Sequence, residues 1–305
     1  MNRLTRRLFL AESGAGAALL ASPSFLKADS GCPALGIQLY TVSAELRRDL
    51  PGTLAALRKS GYRFVEYYPL DQETPRQFRA AVEAAGLQCP SAHVNFLNAD
   101  PAAVFDEALA TGAHYAVSSM LMTNIAGSDT KHYGAHSDLT GDDFRRLAAL
   151  ANSLGVQAKK AGARYVYHNH NFEFLRLEDG GTGYDLLLKE TDPELVKLEL
   201  DCGWMAAAGQ NPAAYLRAYR GRYRMIHVKD FLPVKKPTTA LFGPGRPTGT
   251  ELGRGFVDYK PIFAAAEASG VEYFFSEQEP PFADMPPLAA AQADYIAMRS
   301  LCAAT

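Results

Sequence analysis

"ALGIQLYTVSAEL", residues 34–46, decides between the two α/β architectures that the pattern of this chain allows. An apolar run reads as a first strand and passes straight into "YTVSAEL", with no Gly-x-Gly behind it. A doubly wound sheet usually places a glycine-rich phosphate turn at that point. Working outward, further short apolar runs recur: "YRFVEYYPL", "QCPSAHVNF", "HYAVSSML", "ARYVYHNH", "LVKLELDCGW", "YRMIHVKDF" and "EYFFSEQE". Between them lie amphipathic stretches such as "TPRQFRAAVEAAG", "DDFRRLAALANSLGVQAKKAG" and "YKPIFAAAEASG", several ending in the glycine that commonly stops a helix. Eight strands, each followed by a helix, predict a single (β/α)8 TIM barrel. Two connections are long, 120–141 after the fourth strand and 232–258 after the seventh. Both fall at C-terminal strand ends, where barrel enzymes keep their sites.

The chain has 305 residues, 48% of them hydrophobic and 21% charged, with 31 Lys plus Arg against 33 Asp plus Glu, a net charge of −2. That balance gives no basic footprint for nucleic acid and no polycationic membrane face. "MNRLTRRLFLAESGAGAALLASPSFLKADS" begins with paired Arg6 and Arg7, then a brief apolar run and small residues. It reads as a twin-arginine signal peptide over 1–28, with cleavage after Ala28, and is too short and Gly/Ala-rich to insert stably in a membrane. The expected location is periplasmic or exported, with the barrel over 29–305. Cys32, Cys89, Cys202 and Cys302 are scattered singly, and no essential disulfide is expected.

Strand parity supplies candidate ligands. In "MIHVKD", Ile226 and Val228 suit the helix-facing side, which turns His227 and Lys229 to the barrel axis. In "LELDCGW", Glu199 and Asp201 point inward by the same count, and in "FFSEQE" Glu277 falls at the strand terminus. Asp201, His227 and Glu277 thus converge from three strands as a mixed O/N set suited to one divalent cation. Mn2+ is the first expectation, and Mg2+, Co2+, Zn2+ or Fe2+ also suit it. "YVYHNHNFEF", residues 165–174, is the densest polar stretch and sits at the end of the fifth strand.

The ordered pieces "GIQLYTV", "GYRFVEYY", "AHV", "YHNHNFEF", "LELDCGW", "HVKD", "ELGRGFVDY" and "SEQE" resemble the xylose isomerase-like TIM-barrel superfamily, often labelled sugar phosphate isomerase/epimerase. The resemblance implies a metal held by a carboxylate from strand five, Asp from strand six, His from strand seven and Glu from strand eight. Asp201, His227 and Glu277 match the last three. Strand five departs from the pattern: His168 stands near the place of the usual Glu, and Glu173 follows five residues on. Glu173 is the preferred fourth ligand, with His168 the alternative.

A metal gripping a carbonyl and its neighbouring hydroxyl makes the intervening C–H acidic and an enediolate tolerable. Glu277 on one side, with Glu173 or His168 on the other, then moves the proton. The expected activity is a metal-dependent isomerase or epimerase of a sugar or keto-sugar. Alternatives are a lyase or hydrolase of 3-keto-glycosides, a cyclitol dehydratase, and a non-catalytic sugar-binding barrel. His93, His170 and Lys229 are candidates to hold substrate oxygens, and Trp204 and Tyr40 could form an apolar wall for a sugar ring, although aromatic core packing is the favoured reading of both. Export and the lack of an inward Arg cluster favour an unphosphorylated carbohydrate as the partner. A homo-oligomer is compatible with the pattern.

Overall fold

A computed structural model describes residues 35–70, 73–122, 139–282 and 285–303. The expected signal peptide, and residues 123–138 of the loop after the fourth strand, lie outside the described residues. The barrel strands are β1 (Leu35–Gln38), β2 (Phe64–Tyr67), β3 (Gln88–His93), β4 (Tyr115–Ser118), β5 (Arg164–His168), β6 (Val196–Asp201), β7 (Tyr223–Val228) and β8 (Tyr273–Ser276). Each pairs in parallel with the next, and β1 closes on β8 through Leu35 opposite Phe274 and Ile37 opposite Ser276. Closure leaves no sheet edge. The eight strand positions and the barrel agree with the reading of the sequence.

The strands are shorter than the apolar runs that announced them, for local reasons. β1 ends because the Gln38 side chain accepts a hydrogen bond from the Tyr40 amide (2.6 Å), which turns Leu39–Val42 into a 3-10 segment. At β6, Asp201 caps a short helix, Cys202–Ala207, that the sequence pattern did not announce. The outer helices carry the signals expected of them. Thr140 and Thr182 form capping boxes with Asp143 and Asp185, and the long helix Gly141–Ala161 stops at Gly162 in the left-handed conformation (φ 83°).

Side-chain alternation sorts the barrel interior into tiers. Phe64, Tyr115, Val117, Val166, Met225, Tyr273 and Phe275 form an apolar plug towards the N-terminal end. Gly36 makes room for it, since a Cβ there would lie 2.4 Å from the Phe275 ring. Above the plug the inward residues turn polar and charged, and every one of them is buried: Glu66, His93, His168, Glu199, Asp201, His227, Lys229 and Glu277.

The loop after β7 is ordered by Asp230. Its carboxylate accepts hydrogen bonds from the amides of Phe231, Gly253, Gly255 and Val257 (2.9–3.2 Å), while Asp230–Phe231 pairs antiparallel with Gly249–Thr250. Cys89 and Cys202 are free and buried, whereas Cys302 is disulfide-bonded, a bond the scattered cysteines did not suggest. Among the described residues no helix is long and apolar enough to cross a membrane.

Candidate metal centre at the barrel mouth

Asp201 stands at the end of β6, and its two oxygens have different fates. Oδ1 accepts the Trp204 amide (2.8 Å) as the cap of the short helix. Oδ2 is buried and accepts no hydrogen bond. The helix can begin this close to β7 because residue 203 is glycine; a Cβ there would lie 2.3 Å from the Lys229 carbonyl oxygen. Capping thus fixes the carboxylate while leaving one lone-pair-bearing oxygen for a ligand.

His227 on β7 faces that oxygen with Nδ1, at 3.9 Å. The same nitrogen lies 2.9 Å from Glu277 Oε2, just past β8. Ligand atoms of Asp201, His227 and Glu277 all fall within 4.8 Å of one another, so three consecutive strands deliver a mixed O/N set to one point. A buried carboxylate oxygen that accepts no hydrogen bond, beside an imidazole and a second carboxylate, fits a divalent cation. Lys229 supplies balancing charge, with Nζ 2.8 Å from Glu277 and 3.4 Å from Asp201. Burial pushes the Asp201 pKa up to about 6 against the pull of Lys229. Burial also opposes ionisation of Glu277, but Lys229 and His227 outweigh it and hold that carboxyl well below its usual range.

The other face of His227 meets a second layer of charge. Nε2 lies 2.6 Å from Glu66 Oε2 and 3.2 Å from Glu199 Oε2. His93 Nε2 sits between the same two carboxylates, at 3.2 Å and 3.0 Å. His168 Nδ1 is 2.9 Å from Glu199 Oε2, and Ser91 donates to Glu66 Oε1 (2.5 Å). Carboxylates buried at this depth persist only with partners in place. Burial raises the Glu199 pKa and Glu66 repels it, yet His227 and His168 prevail and bring it down to about 2. Burial lowers that of His93, but Glu66 and Glu199 lift it to about 9.

Not every expected residue reaches the centre. Glu173 is fully buried, with Oε1 accepting from the Tyr167 hydroxyl (2.8 Å) and Oε2 from the His170 amide (3.0 Å), and it falls outside both groups of converging ligand atoms. The turn after β5 therefore does not swing its carboxylate to Asp201, and burial pushes its pKa up to about 8. His168 is turned down to Glu199, and burial followed by the charge of His227 keeps it well below the usual histidine range. His170 lies near the mouth, its ring 5.9 Å from that of Trp204 and its buried Nδ1 without a partner. Burial and Lys229 bring its pKa down to about 3, so the ring is neutral.

Trp204 is not an open wall. Its indole is buried, with the Lys229 ammonium 5.2 Å and the Arg246 guanidinium 5.6 Å from the ring centroid. Tyr40 is part-buried and tilts against Tyr68 at 4.9 Å. Glu279, beyond β8, pairs with both Lys229 and Arg246, so the loop after β7 closes onto the mouth through an ion pair. Parity had turned Glu199 inward without giving it a role. Glu66, in "GYRFVEYY", was passed over, although inward alternation on β2 would have flagged it.

Residues 54–300 match the family described as Xylose isomerase-like TIM barrel. An inosose dehydratase of Lacticaseibacillus casei is 31% identical over 156 residues, covering 46% of this chain and 49% of that protein, so the chain spans about half the length of this curated relative. Among solved structures, a sugar phosphate isomerase/epimerase from Parabacteroides distasonis ATCC 8503 superposes with a TM-score of 0.67 at 23% identity, over 89% of this chain and 96% of that one. The IOLI protein with a bound zinc atom gives a TM-score of 0.66 at 14% identity, over 88% and 98%. The two structures share the fold, and the family match runs through almost the whole barrel: this chain belongs to the xylose isomerase-like TIM barrel family.

Proposed function

We propose that this protein is a metal-dependent enzyme that moves a proton beside a carbonyl of an unphosphorylated sugar, keto-sugar or cyclitol. One observation carries the reading: Oδ2 of Asp201, which accepts no hydrogen bond, Nδ1 of His227 and Oε2 of Glu277 converge at the C-terminal mouth of the barrel. These three residues would hold one divalent cation, which supplies Lewis acidity towards neighbouring substrate oxygens. Mn2+, Mg2+, Co2+, Zn2+ and Fe2+ are all compatible with two carboxylates and an imidazole.

The remaining chemistry falls to side chains around the mouth. Lys229 is held protonated, because Glu277, Glu279 and Asp201 outweigh the effect of burial, and it donates hydrogen bonds to a substrate oxygen. His170 offers a neutral, unpartnered Nδ1 to accept from a substrate hydroxyl. Glu277 is ionised and positioned to take the proton from carbon on one side. On the other side His170, with Nδ1 unpartnered, is preferred to Glu173, whose oxygens are engaged by Tyr167 and the His170 amide, and to His168, whose Nδ1 is engaged by Glu199. Return of the proton to the neighbouring carbon is isomerisation, and return to the opposite face is epimerisation.

The dehydratase reading has support of its own in the name of the L. casei relative. It uses the same proton removal, followed by loss of a β-hydroxyl as water with Lys229 as the donor. An unphosphorylated substrate is favoured because Lys229 and Arg246, the cations that line the described part of the mouth, are both paired with carboxylates. Export through the twin-arginine route, read from "TRRLFL", belongs to the same proposal.

The test is solvent deuterium exchange and water loss over a panel of unphosphorylated keto-sugars and keto-cyclitols, with metal counted alongside. About one metal per chain at this site should disappear in Asp201→Asn together with any exchange. Exchange that survives Asp201→Asn, or a full panel with neither exchange nor elimination, would overturn the proposal, the latter in favour of a binding barrel.

A further inference from the structure

We infer that the barrel interior carries a second divalent-cation site, one tier below the first, built from His93, His168 and Glu199. His93 Nε2 and His168 Nδ1 approach the same oxygen of Glu199, at 3.0 Å and 2.9 Å. Three ligands on one face of an octahedron, with metal–ligand bonds of about 2.1 Å, lie about 3.0 Å apart. Both contacts to Glu199 have that spacing, and ligand atoms of all three residues lie within 4.8 Å of one another. The three residues come from β3, β5 and β6, and strands hold such groups more rigidly than loops do.

Two further observations point to a ligand. Glu199 Oε1 is buried and has no hydrogen-bond partner. Among the described residues no lysine or arginine pairs with either Glu66 or Glu199, in contrast to Asp201 and Glu277, which have Lys229. The lower tier thus holds two buried carboxylates whose only ion-pair partners are imidazoles. The site does not compete with the upper one for His227. That ring offers Nδ1 upward, and its Nε2 hydrogen has an acceptor in Glu66 Oε2 at 2.6 Å. Two imidazoles make this donor set softer than the upper one and suit Zn2+, Fe2+ or Co2+.

The experiment counts metal, not turnover. Chelator-treated full-length protein is reloaded with excess Zn2+, desalted and measured by plasma mass spectrometry. Wild type should hold about two zinc ions per chain, and Glu199→Gln and Asp201→Asn about one each. A wild type that saturates at one ion, lost in Asp201→Asn and kept in Glu199→Gln, overturns the inference. One ion kept in Asp201→Asn and lost in Glu199→Gln upholds it, and removes the upper site instead. Should Glu199→Gln fail to fold, His93→Gln leaves both carboxylates in place and is read the same way. The wild type provides an independent check: two Co2+ ions in adjacent tiers couple magnetically. An electron paramagnetic resonance spectrum of isolated Co2+ at saturation refutes the second site.

Discussion

Glu173→Gln separates a carboxylate that holds the mouth together from one that binds metal. Burial raises the Glu173 pKa from the ordinary 4.5 to about 8. At about 1.4 kcal/mol for each tenfold change in proton affinity, that difference amounts to about 5 kcal/mol. The sign follows from proton counting. Between pH 4.5 and 8 the folded protein keeps the Glu173 proton while the unfolded chain has lost it. Stability from this group is therefore greatest below pH 4.5, declines as pH rises, and is level above 8. Glutamine carries no such proton, and it can satisfy both neighbours, its amide donating to the Tyr167 oxygen and its carbonyl accepting from the His170 amide.

Urea unfolding of chelator-treated protein, followed by the emission of Trp204, the single tryptophan, measures the effect at intervals from pH 4.5 to 8.5. The difference between variant and wild type isolates residue 173 from other titrating groups. It should be near zero at pH 4.5 and favour the variant by up to about 5 kcal/mol at pH 8. Metal content should not change. A difference that is flat with pH, or a variant less stable at pH 8, refutes the reasoning. Loss of metal in Glu173→Gln would make Glu173 a ligand after all.

Glu66→Gln removes the carboxylate that fixes the His227 ring and should weaken divalent-metal affinity by about 10- to 100-fold, read by competition against a chromogenic chelator. Arg246→Ala uncovers the Trp204 ring and should shift its emission to the red, while the part-exposed ion pair with Glu279 costs less than about 1 kcal/mol of stability in the same urea assay. Arg6→Lys combined with Arg7→Lys should retain the protein in the cytoplasm, and continued export would remove the twin-arginine reading.

The barrel was legible because its signals are local. A strand's period of two and a helix's closing glycine are both written within a dozen residues, and the missing Gly-x-Gly after β1 favoured the barrel over the competing sheet. Parity also placed Asp201, His227 and Glu277 together, since each sits at or one residue past a strand end, where alternation still holds. It failed where the chain leaves the strand for a turn. Glu173 lies in the Phe172–Phe174 turn, where the period of two no longer applies, and the Tyr167 hydroxyl that captures its carboxylate is a tertiary contact. Glu66 was missed for the opposite reason. It obeys parity on β2, but its partner His227 is 161 residues away, a pairing that only closure of the barrel creates.

The polar density of "YVYHNHNFEF" has a physical account once partners are assigned. The Asn169 side chain grips the end of β6, its Oδ1 accepting the Asp201 amide (3.2 Å) and its Nδ2 donating to the Asp201 (3.4 Å) and His170 (3.0 Å) carbonyls. Asn171 Nδ2 reaches across to the carbonyls of Thr238 (3.1 Å) and Ala240 (3.0 Å), docking the loop that carries Arg246. Glu173 ties the turn back to Tyr167 and to the His170 amide. Five polar side chains within six residues would be costly to bury if left unpaired. Here they set the position of Asp201 and the placement of the loop after β7. His170 Nδ1 and Asn171 Oδ1 are the atoms left unpartnered, and His170 lies beside Trp204 near the mouth. The stretch therefore frames the upper ligand set without belonging to it, and a substitution such as Asn169→Ala should disturb metal binding only through Asp201.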